Sequence, residues 1–347
     1  MKAIVYERTG GAEVLALTER EIPQPGPGEV LVRVAVSGVN PTDWKSRQGD
    51  GSGAPPPSGW QIPNQDGSGL VVATGNGVDP DLVEQRVWLY ESAYQRPWGT
   101  AAEFIVAPAR QAVLLGADRS YELGAALGVP FLTAHRCLTV GENVPDRVDP
   151  GSLSGRTVLV QGGAGAVGNA AIQLARWADA TVIATVSSPR KAQLAAAAGA
   201  DHVIDYRQQD VVAEVRKINP DGVDTIVEVA PAQNAGVDAQ ILGRDGCVAM
   251  YAGTPGDSVT IPVRSQMTVN GRWQFVLLYT VPAVAKATAV DDVTAAVAAG
   301  AVRVGEEAGL PLHRFGHEDT AAAHQAVQDG AVGKVLIVVD EDPEPLR

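Results

Sequence analysis

The sequence predicts an α/β protein with two domains, one of short strands and one with a doubly wound parallel sheet. Its 347 residues exceed what a single hydrophobic core usually accommodates. Short strand-like runs without sustained helical periodicity occupy the chain up to about residue 120. From residue 157 onward, apolar runs alternate with amphipathic stretches, which is the pattern of repeated βα units.

The composition narrows the classes of function. Hydrophobic residues make up 45% of the chain and charged residues 19%, as in globular proteins. The net charge of −13 would repel a phosphate backbone, so we expect no nucleic-acid partner. Two cysteines, Cys137 and Cys247, exclude a disulfide scaffold. The stretch "MKAIVYERTG" lacks an apolar signal region and no run approaches 20 apolar residues, so we expect a soluble cytoplasmic protein without a membrane partner.

The elements of the first domain follow from strand and turn residues. "KAIVYE" and "EVLVRVAVSGV" are strand-like, and the turn cluster "PQPGPGE" separates them. Residues 49–59, "GDGSGAPPPSG", form a predicted loop, and a short helix is expected near Asp43. "RVWLY" and "EFIVAP" are further predicted strands. This part of the chain therefore predicts a β-rich domain.

The second domain begins after the helical stretch "YELGAALGVPFLTAHRCL". The predicted strands are 157–161, 181–186, 202–206, 224–230 and 247–253. The helix after the second strand has Ser188 as its N-cap, Pro189 in its first turn and Gly199 as its end. Residues 283–347 hold two further helical stretches and the closing strand "GKVLIVVD".

A glycine-rich loop follows the first strand of this domain. In "VQGGAGAVGNAAIQLA", the residues Gly163, Gly165 and Gly168 have the spacing G-x-G-x-x-G between a strand and an amphipathic helix. In such loops the glycines permit a tight turn, close approach to a pyrophosphate, and close helix packing. The N-terminus of the helix offers N–H donors to phosphate. The loop therefore predicts a dinucleotide site.

The end of the second strand indicates which dinucleotide. An NAD site normally has Asp or Glu there, bound to the ribose 2′-OH. Here "TVSSPRK" has no acid and offers Ser187, Ser188, Arg190 and Lys191 instead. Tyr206, after the third strand, is predicted to close the same pocket. Hydroxyls and cations suit a 2′-phosphate, so the predicted cofactor is NADP(H); the alternative is that the two cations are simply solvated.

The whole chain resembles the medium-chain dehydrogenases/reductases. "PGPGEVLVRVAVSGVNPTD", "IPNQDGSGLVVATG", "GTAAEFIVAP", the glycine loop, "GADHVIDYR" and "GKVLIVV" occur in the order of that superfamily, and most resemble its zinc-independent quinone oxidoreductases of the zeta-crystallin type. The resemblance implies a GroES-like catalytic domain from residues 1–124 and 283–347, with a Rossmann domain at 125–282. It also implies NADPH in a cleft between the domains and a homodimer, with "WQFVLLYT" near either the dimer interface or the nicotinamide.

The resemblance and the motifs together give the candidate site. The predicted catalytic residues are Lys45 and Asn40, the predicted substrate contacts are Trp44 and Tyr90, and no metal is expected. The predicted cofactor contacts are Asn40, Thr133, Gly163, Gly165, Ala166, Val167, Gly168, Ser187, Ser188, Arg190, Lys191, Tyr206, Tyr251, Gly253 and Lys334. A catalytic zinc needs three protein ligands, commonly Cys and His, and neither residue occurs before residue 131.

The lysine at position 45 leaves two classes of substrate possible. Quinone reductases of this type usually carry Tyr five residues after the Asn, whereas Lys45 resembles the enone and enoyl reductases of the superfamily. In both cases hydride goes to a conjugated carbonyl compound, and charge develops on its oxygen. The hypotheses are a quinone reductase, an enone or enoyl reductase that depends on Lys45, and a non-catalytic NADPH-binding protein.

Overall fold

A computed structural model describes residues 1–345. Its strands are β1 (Lys2–Val5), β2 (Ala16–Glu19), β3 (Glu29–Val39), β4 (Asp66–Thr74), β5 (Arg86–Leu89), β6 (Phe104–Pro108), β7 (Ala112–Leu114), β8 (Thr157–Val160), β9 (Thr181–Val186), β10 (His202–Asp205), β11 (Val223–Glu228), β12 (Leu242–Met250), β13 (Arg272–Phe275), β14 (Leu312–Gly316) and β15 (Lys334–Val338). Its α-helices are α1 (Pro41–Gln48), α2 (Tyr121–Thr139), α3 (Ala166–Trp177), α4 (Pro189–Ala198), α5 (Val211–Ile218), α6 (Pro231–Ile241), α7 (Val263–Val269), α8 (Ala283–Ala298) and α9 (Thr320–Gln328). This content confirms the α/β class.

The chain forms two compact units. The first unit comprises Met1–Val129 and the segment that begins at Leu312, and the second comprises Pro130–Pro311. The family resemblance predicts residues 283–311 in the catalytic domain, whereas the contacts place them, with α8, in the second unit. Asp292 of α8 accepts a hydrogen bond from Val148 N at 2.8 Å and lies 2.8 Å from His135 Nε2, so buried polar contacts hold this helix there.

The first unit is built on a largely antiparallel sheet with the strand order β14-β15-β3-β4-β5-β7, and β6 also pairs with β3. Strands β1 and β2 form a separate two-stranded sheet. The valine-rich β3 is buried along nearly its whole length, because it pairs with β15 and β4 and packs its side chains into the core. The predicted β-rich domain is thereby confirmed.

The helix α1 follows β3 and carries the candidate residues of this unit. Asn40 precedes it, and the Asn40 backbone N–H donates to Asp43 Oδ2 at 2.7 Å, which fixes the first turn. Its buried residues are Asp43 and Arg47 rather than apolar ones. That is why the sequence shows no apolar periodicity here.

The second unit has a six-stranded parallel sheet in the order β10-β9-β8-β11-β12-β13. The order reverses between β8 and β11, and ligands bind at such a reversal, outside the carboxyl ends of the strands. The predicted doubly wound sheet is confirmed. The strand expected at 247–253 begins at Leu242 instead, because a register irregularity opposite Val223 interrupts its apolar pattern.

Candidate functional site

The glycine loop joins β8 to α3 at this reversal of strand order. Its left-handed residue is Gly162, at φ +70°, one position before the predicted motif. Gly163 is required by packing, since a Cβ there would lie 2.8 Å from the Ala184 Cβ. A Cβ on Gly168 would lie 2.4 Å from the Gly162 carbonyl oxygen. Two of the three predicted glycines are thus explained by close packing of loop, helix and sheet.

Gly165 is different, because a Cβ there would meet only the Gly162 carbonyl oxygen, at an ordinary 3.5 Å. Its φ of −79° is accessible to any residue. Gly165 is the N-cap of α3, and no side chain caps the first turn formed by Ala166, Val167 and Gly168. The backbone N–H groups of this turn carry the positive end of the helix dipole. The structure therefore leaves at Gly165 the open approach that a pyrophosphate needs.

The end of β9 gathers part of the predicted phosphate clamp. Lys191 Nζ donates to Ser187 Oγ at 3.1 Å, and Tyr206, whose ring is half exposed, pairs its backbone N–H with Val186 O at 3.1 Å. Ser188 is the N-cap of α4, as predicted, and its Oγ accepts from Lys191 N at 3.3 Å. Ser187, Lys191 and Tyr206 therefore lie close together, with the Ser188 hydroxyl used inside the helix cap.

The Arg190 side chain pairs with a residue outside this group. Its guanidinium forms an ion pair with Glu306, in a short 3-10 turn (Glu306–Ala308) that packs against α4. Both side chains are more than half exposed. The sequence does not reveal this pair, because Glu306 comes from a distant part of the chain.

The sequence analysis missed a group of buried polar side chains at the ends of β8, β9 and β11. Gln161, Thr185 and Glu228 lie there, and Asp238 faces them from α6; all four are buried. Burial raises the pKa of Glu228, and burial with the nearby Glu228 charge raises the pKa of Asp238 to about 9. A carboxylate that ends a buried strand, as in "DTIVEVA", was the signal available in the sequence.

Three other predicted contacts belong to the second unit. Tyr251 follows β12 and donates its backbone N–H to Glu228 O at 3.1 Å. Burial raises the pKa of the Tyr251 hydroxyl. Gly253 lies in the same loop, and Thr133 is buried on α2.

In the first unit, Asn40 and Lys334 are brought together with Asp66. Lys334 Nζ donates to Asn40 Oδ1 at 2.7 Å, and Asn40 Nδ2 donates to Asp66 Oδ2 at 2.7 Å. Lys334 Nζ also lies 3.3 Å from Asp66 Oδ2. Burial raises the pKa of Asp66, and Lys334 and Asn40 oppose that shift. Both predicted contacts are thus already bound to protein groups, with side chains at most 2% exposed.

The predicted catalytic and substrate side chains lie in different surroundings. Lys45 is exposed on α1, with its Nζ 5.8 Å from the centroid of the half-buried Trp44 ring. Tyr90 is buried, and its hydroxyl donates to Arg110 O at 3.1 Å. The Tyr90 ring packs 5.6 Å from the Trp88 ring.

A cavity of about 510 Å³ opens beside α1, within the first unit. Its walls include Tyr6, Asp43, the prolines 55–57, Asn64 and Tyr94. The predicted loop 49–59 therefore supplies part of the wall. Burial and the nearby Asp66 charge raise the pKa of Asp43 to about 8, against hydrogen bonds from the backbone N–H groups of Asn40 and Gln65.

Comparison with known proteins identifies the family. The model for the alcohol dehydrogenase GroES-like domain matches residues 26–117, and that for zinc-binding dehydrogenase matches residues 166–295. A quinone oxidoreductase of Mus musculus is 30% identical over 72% of each chain. The chain belongs to the quinone oxidoreductase branch of the medium-chain dehydrogenases/reductases. The resemblance in the sequence is thereby confirmed.

Other relatives extend this comparison. The synaptic vesicle membrane protein VAT-1 homolog of Rattus norvegicus is 31% identical over 79% of this chain, and the chain spans 64% of that protein's length. A mycobacterial protein solved in complex with NADPH is 27% identical, with a TM-score of 0.80 and coverage of 98% of this chain and all of the other.

Two absences within residues 1–345 concern membranes and metals. No helix in this part is long and apolar enough to span a bilayer. Nor does it contain a cluster of three or more His, Cys, Asp or Glu side chains arranged to hold a metal ion.

Proposed function

We propose that this protein is an NADPH-dependent reductase that transfers hydride to a quinone or another conjugated carbonyl compound without zinc. The observation that carries the proposal is Lys191 beside Ser187, after a strand that ends without a carboxylate. The mouse quinone oxidoreductase and the mycobacterial complex with NADPH support the same cofactor and substrate class.

The second unit fits the cofactor. The uncapped first turn of α3 would offer several N–H donors to a pyrophosphate, and Gly165 leaves room for that group. Lys191, Ser187 and Tyr206 would bind the 2′-phosphate, and Arg190 would join them only by leaving Glu306. Tyr251, Gly253 and Thr133 are the proposed contacts nearer the nicotinamide.

The first unit supplies the substrate side of the reaction. NADPH supplies the hydride when it is bound. The cavity beside α1 offers apolar walls from its prolines and Tyr94, with Asn64 and Tyr6 as polar groups. Asn40 is held in one orientation by Lys334 and Asp66, which suits a group that must point at one substrate or cofactor atom.

The alternative is an enone or enoyl reductase, and the exposed ammonium of Lys45 favours it. Simple enones need more help than quinones, because a hydroquinone anion is already stable. In this alternative Lys45 stabilises the developing oxyanion or donates the proton. An unchanged rate in Lys45→Ala with an enone would remove Lys45 from the mechanism.

The proposed zinc independence rests on the types of zinc-binding residue in the chain. No Cys or His precedes His135 in the chain, and these are the usual ligands of a catalytic zinc. Unchanged turnover after dialysis against a chelator is the expected result.

Steady-state oxidation of NADPH tests the proposal. The purified protein is given 1,4-benzoquinone or a simple enone, with NADH as the control cofactor. Turnover of quinone with NADPH supports the proposal, and faster turnover of the enone favours the alternative. Binding of NADPH without turnover of either acceptor would make the protein a non-catalytic NADPH-binding protein.

We also propose a cytoplasmic homodimer. Strand β13 ends the parallel sheet, and exposed apolar side chains lie on and near it: Phe275 at 69%, Leu277 at 57% and Met267 at 61% exposure. Two free buried cysteines suit a reducing compartment. Light scattering of Phe275→Asp, expected to be monomeric, tests the dimer against the wild type.

A further inference from the structure

A continuous chain of side-chain hydrogen bonds runs from the glycine loop to α6. The Gly162 backbone N–H donates to Thr185 Oγ1 at 3.3 Å, and Thr185 Oγ1 donates to Gln161 Oε1 at 2.5 Å. Gln161 Nε2 then donates to Asp238 Oδ1 at 2.9 Å. Thr185 also accepts the Gly163 N–H through its carbonyl oxygen, at 3.0 Å. The backbone of the loop is therefore fastened to β9 at two successive residues.

The chain ends in a pair of buried carboxyl groups. Asp238 and Glu228 are both fully buried. Glu228 accepts from Asn234 Nδ2 at 3.1 Å and from the backbone N–H of Ala230. Asp238 Oδ2 receives no hydrogen bond from an N–H or O–H group among residues 1–345. The Asp238 and Glu228 carboxyl groups lie within hydrogen-bonding reach of each other. Two carboxyl groups can form that bond only if one of them holds a proton.

The direction of each bond follows from Asp238 Oδ1, which accepts a hydrogen bond whether or not Oδ2 holds the proton. With the proton on Asp238 Oδ2, shared with Glu228, Asp238 Oδ1 is an acceptor and faces the amide nitrogen of Gln161. The carbonyl oxygen of Gln161 must then face Thr185 and take its hydroxyl proton. The lone pairs of Thr185 Oγ1 are left for the Gly162 N–H.

We propose that Asp238 is a positioning residue for the cofactor loop, acting through Gln161 and Thr185 and held by the proton it shares with Glu228. This inference rests on the proposed binding of NADPH at the glycine loop. It adds Asp238, which lies on α6, to the residues that act on the glycine loop.

Few other titratable groups face this pair. Among the described residues, the Tyr251 hydroxyl lies within reach of the Glu228 charge, and Cys137 adjoins Tyr251. Burial raises the pKa of both Tyr251 and Cys137, so both stay neutral while the acid pair titrates. The pair loses its shared proton as the pH rises through about 9. Two adjacent carboxylates then repel each other, and Asp238 is displaced.

The test measures the NADPH dissociation constant by fluorescence between about pH 7 and pH 9.5, on either side of the pKa of about 9 for Asp238. The wild type is expected to bind several-fold more weakly at the upper pH, as for the loss of about one hydrogen bond. Asp238→Asn keeps an acceptor for Gln161 and an N–H donor for Glu228. It should bind like the wild type at pH 7 and lose the alkaline weakening. Asp238→Ala should bind several-fold more weakly throughout, and Asp221→Asn, an exposed carboxylate of the same unit, should match the wild type.

Equal alkaline weakening in Asp238→Asn and the wild type would overturn the inference, as would wild-type affinity in Asp238→Ala. Hydrogen exchange of the Gly162 and Gly163 amides in the cofactor-free protein gives a readout that does not need NADPH. Exchange there should be faster in Asp238→Ala and unchanged in Asp238→Asn. If the wild type fails to bind NADPH, the proposed function fails, and the exchange rates still decide whether Asp238 positions the loop.

Discussion

The predicted site residues of the two units differ in their burial and in the contacts that they already make with the protein. In the second unit, Lys191 is half-buried and Tyr206 is half-exposed, and the ammonium of Lys191 donates to the Ser187 hydroxyl. In the first unit, Lys334 and Asn40 are buried and bound to each other and to Asp66. A ligand can recruit Lys191 by replacing one weak contact, whereas recruiting Lys334 would break a buried ion pair. The same type of side chain is therefore accessible to a ligand in one unit and gives internal support in the other.

The largest effect should come from Lys334→Met. This change leaves the Asp66 carboxylate buried without its cation, and we expect it to lower the free energy of unfolding by about 3–5 kcal/mol. Denaturant unfolding measures the loss. Lys191→Met removes one partly buried hydrogen bond and no buried ion pair, and it should change stability by no more than about 1 kcal/mol. Similar losses in the free energy of unfolding for the two variants would contradict this difference between the units.

Lys191→Ala should have the largest effect on binding. Loss of a charge-assisted hydrogen bond to the 2′-phosphate should weaken NADPH binding by about 10- to 100-fold. NADH, which lacks that phosphate, should bind as before. Arg190→Ala should weaken NADPH binding by only about threefold, because Arg190 is held by Glu306 in an exposed pair. Titration calorimetry with both cofactors separates these outcomes, and an equal loss for NADH would remove Lys191 from the phosphate clamp.

Substitutions at two glycines of the same loop should separate an effect on stability from an effect on cofactor binding. Gly168→Ala places a Cβ 2.4 Å from the Gly162 carbonyl oxygen, and the overpacking should cost roughly 1–3 kcal/mol. Gly165→Ala meets no such contact, so the cofactor-free protein should unfold as the wild type does or at slightly higher temperature. Its NADPH binding should nevertheless fall. Calorimetric unfolding and fluorescence titration of both variants test this, and full NADPH affinity in Gly165→Ala would count against the pyrophosphate at that position.

A smaller effect should come from His324, another internally bound group of the first unit. Burial lowers the pKa of His324 to about 3, and its Nε2 lies 2.8 Å from Asn64 Oδ1. Because the folded pKa lies below the unfolded value of 6.5, the unfolded chain binds more protons between these limits. Stability is therefore lost as the pH falls below about 6.5, by up to about 2 kcal/mol at pH 5. In His324→Gln this part of the acid sensitivity should disappear, and denaturant unfolding at pH 7 and pH 5 would show whether it persists.

Local signals were sufficient for much of this protein. The alternation of apolar and amphipathic stretches predicted the parallel sheet, and Ser188 and Gly199 marked the two ends of α4 because caps depend on neighbouring residues. The glycine spacing and the missing acid after β9 located a candidate cofactor site for the same reason. The helix α1 lacked an apolar signal because it buries Asp43 and Arg47.

Only the tertiary structure decided which polar groups are bound to one another. Lys334 meets Asn40 because β15 pairs with β3, and Gln161 meets Asp238 because α6 packs near the end of β8. Arg190 is paired with Glu306 and Tyr90 with the backbone of Arg110, which no spacing in the sequence reveals. The sequence determined the elements and the glycine loop whose helix has an uncapped first turn, since both depend on near neighbours. The order of strands in the sheets decided which side chains are free to bind a ligand, since it brings distant residues within hydrogen-bond distance.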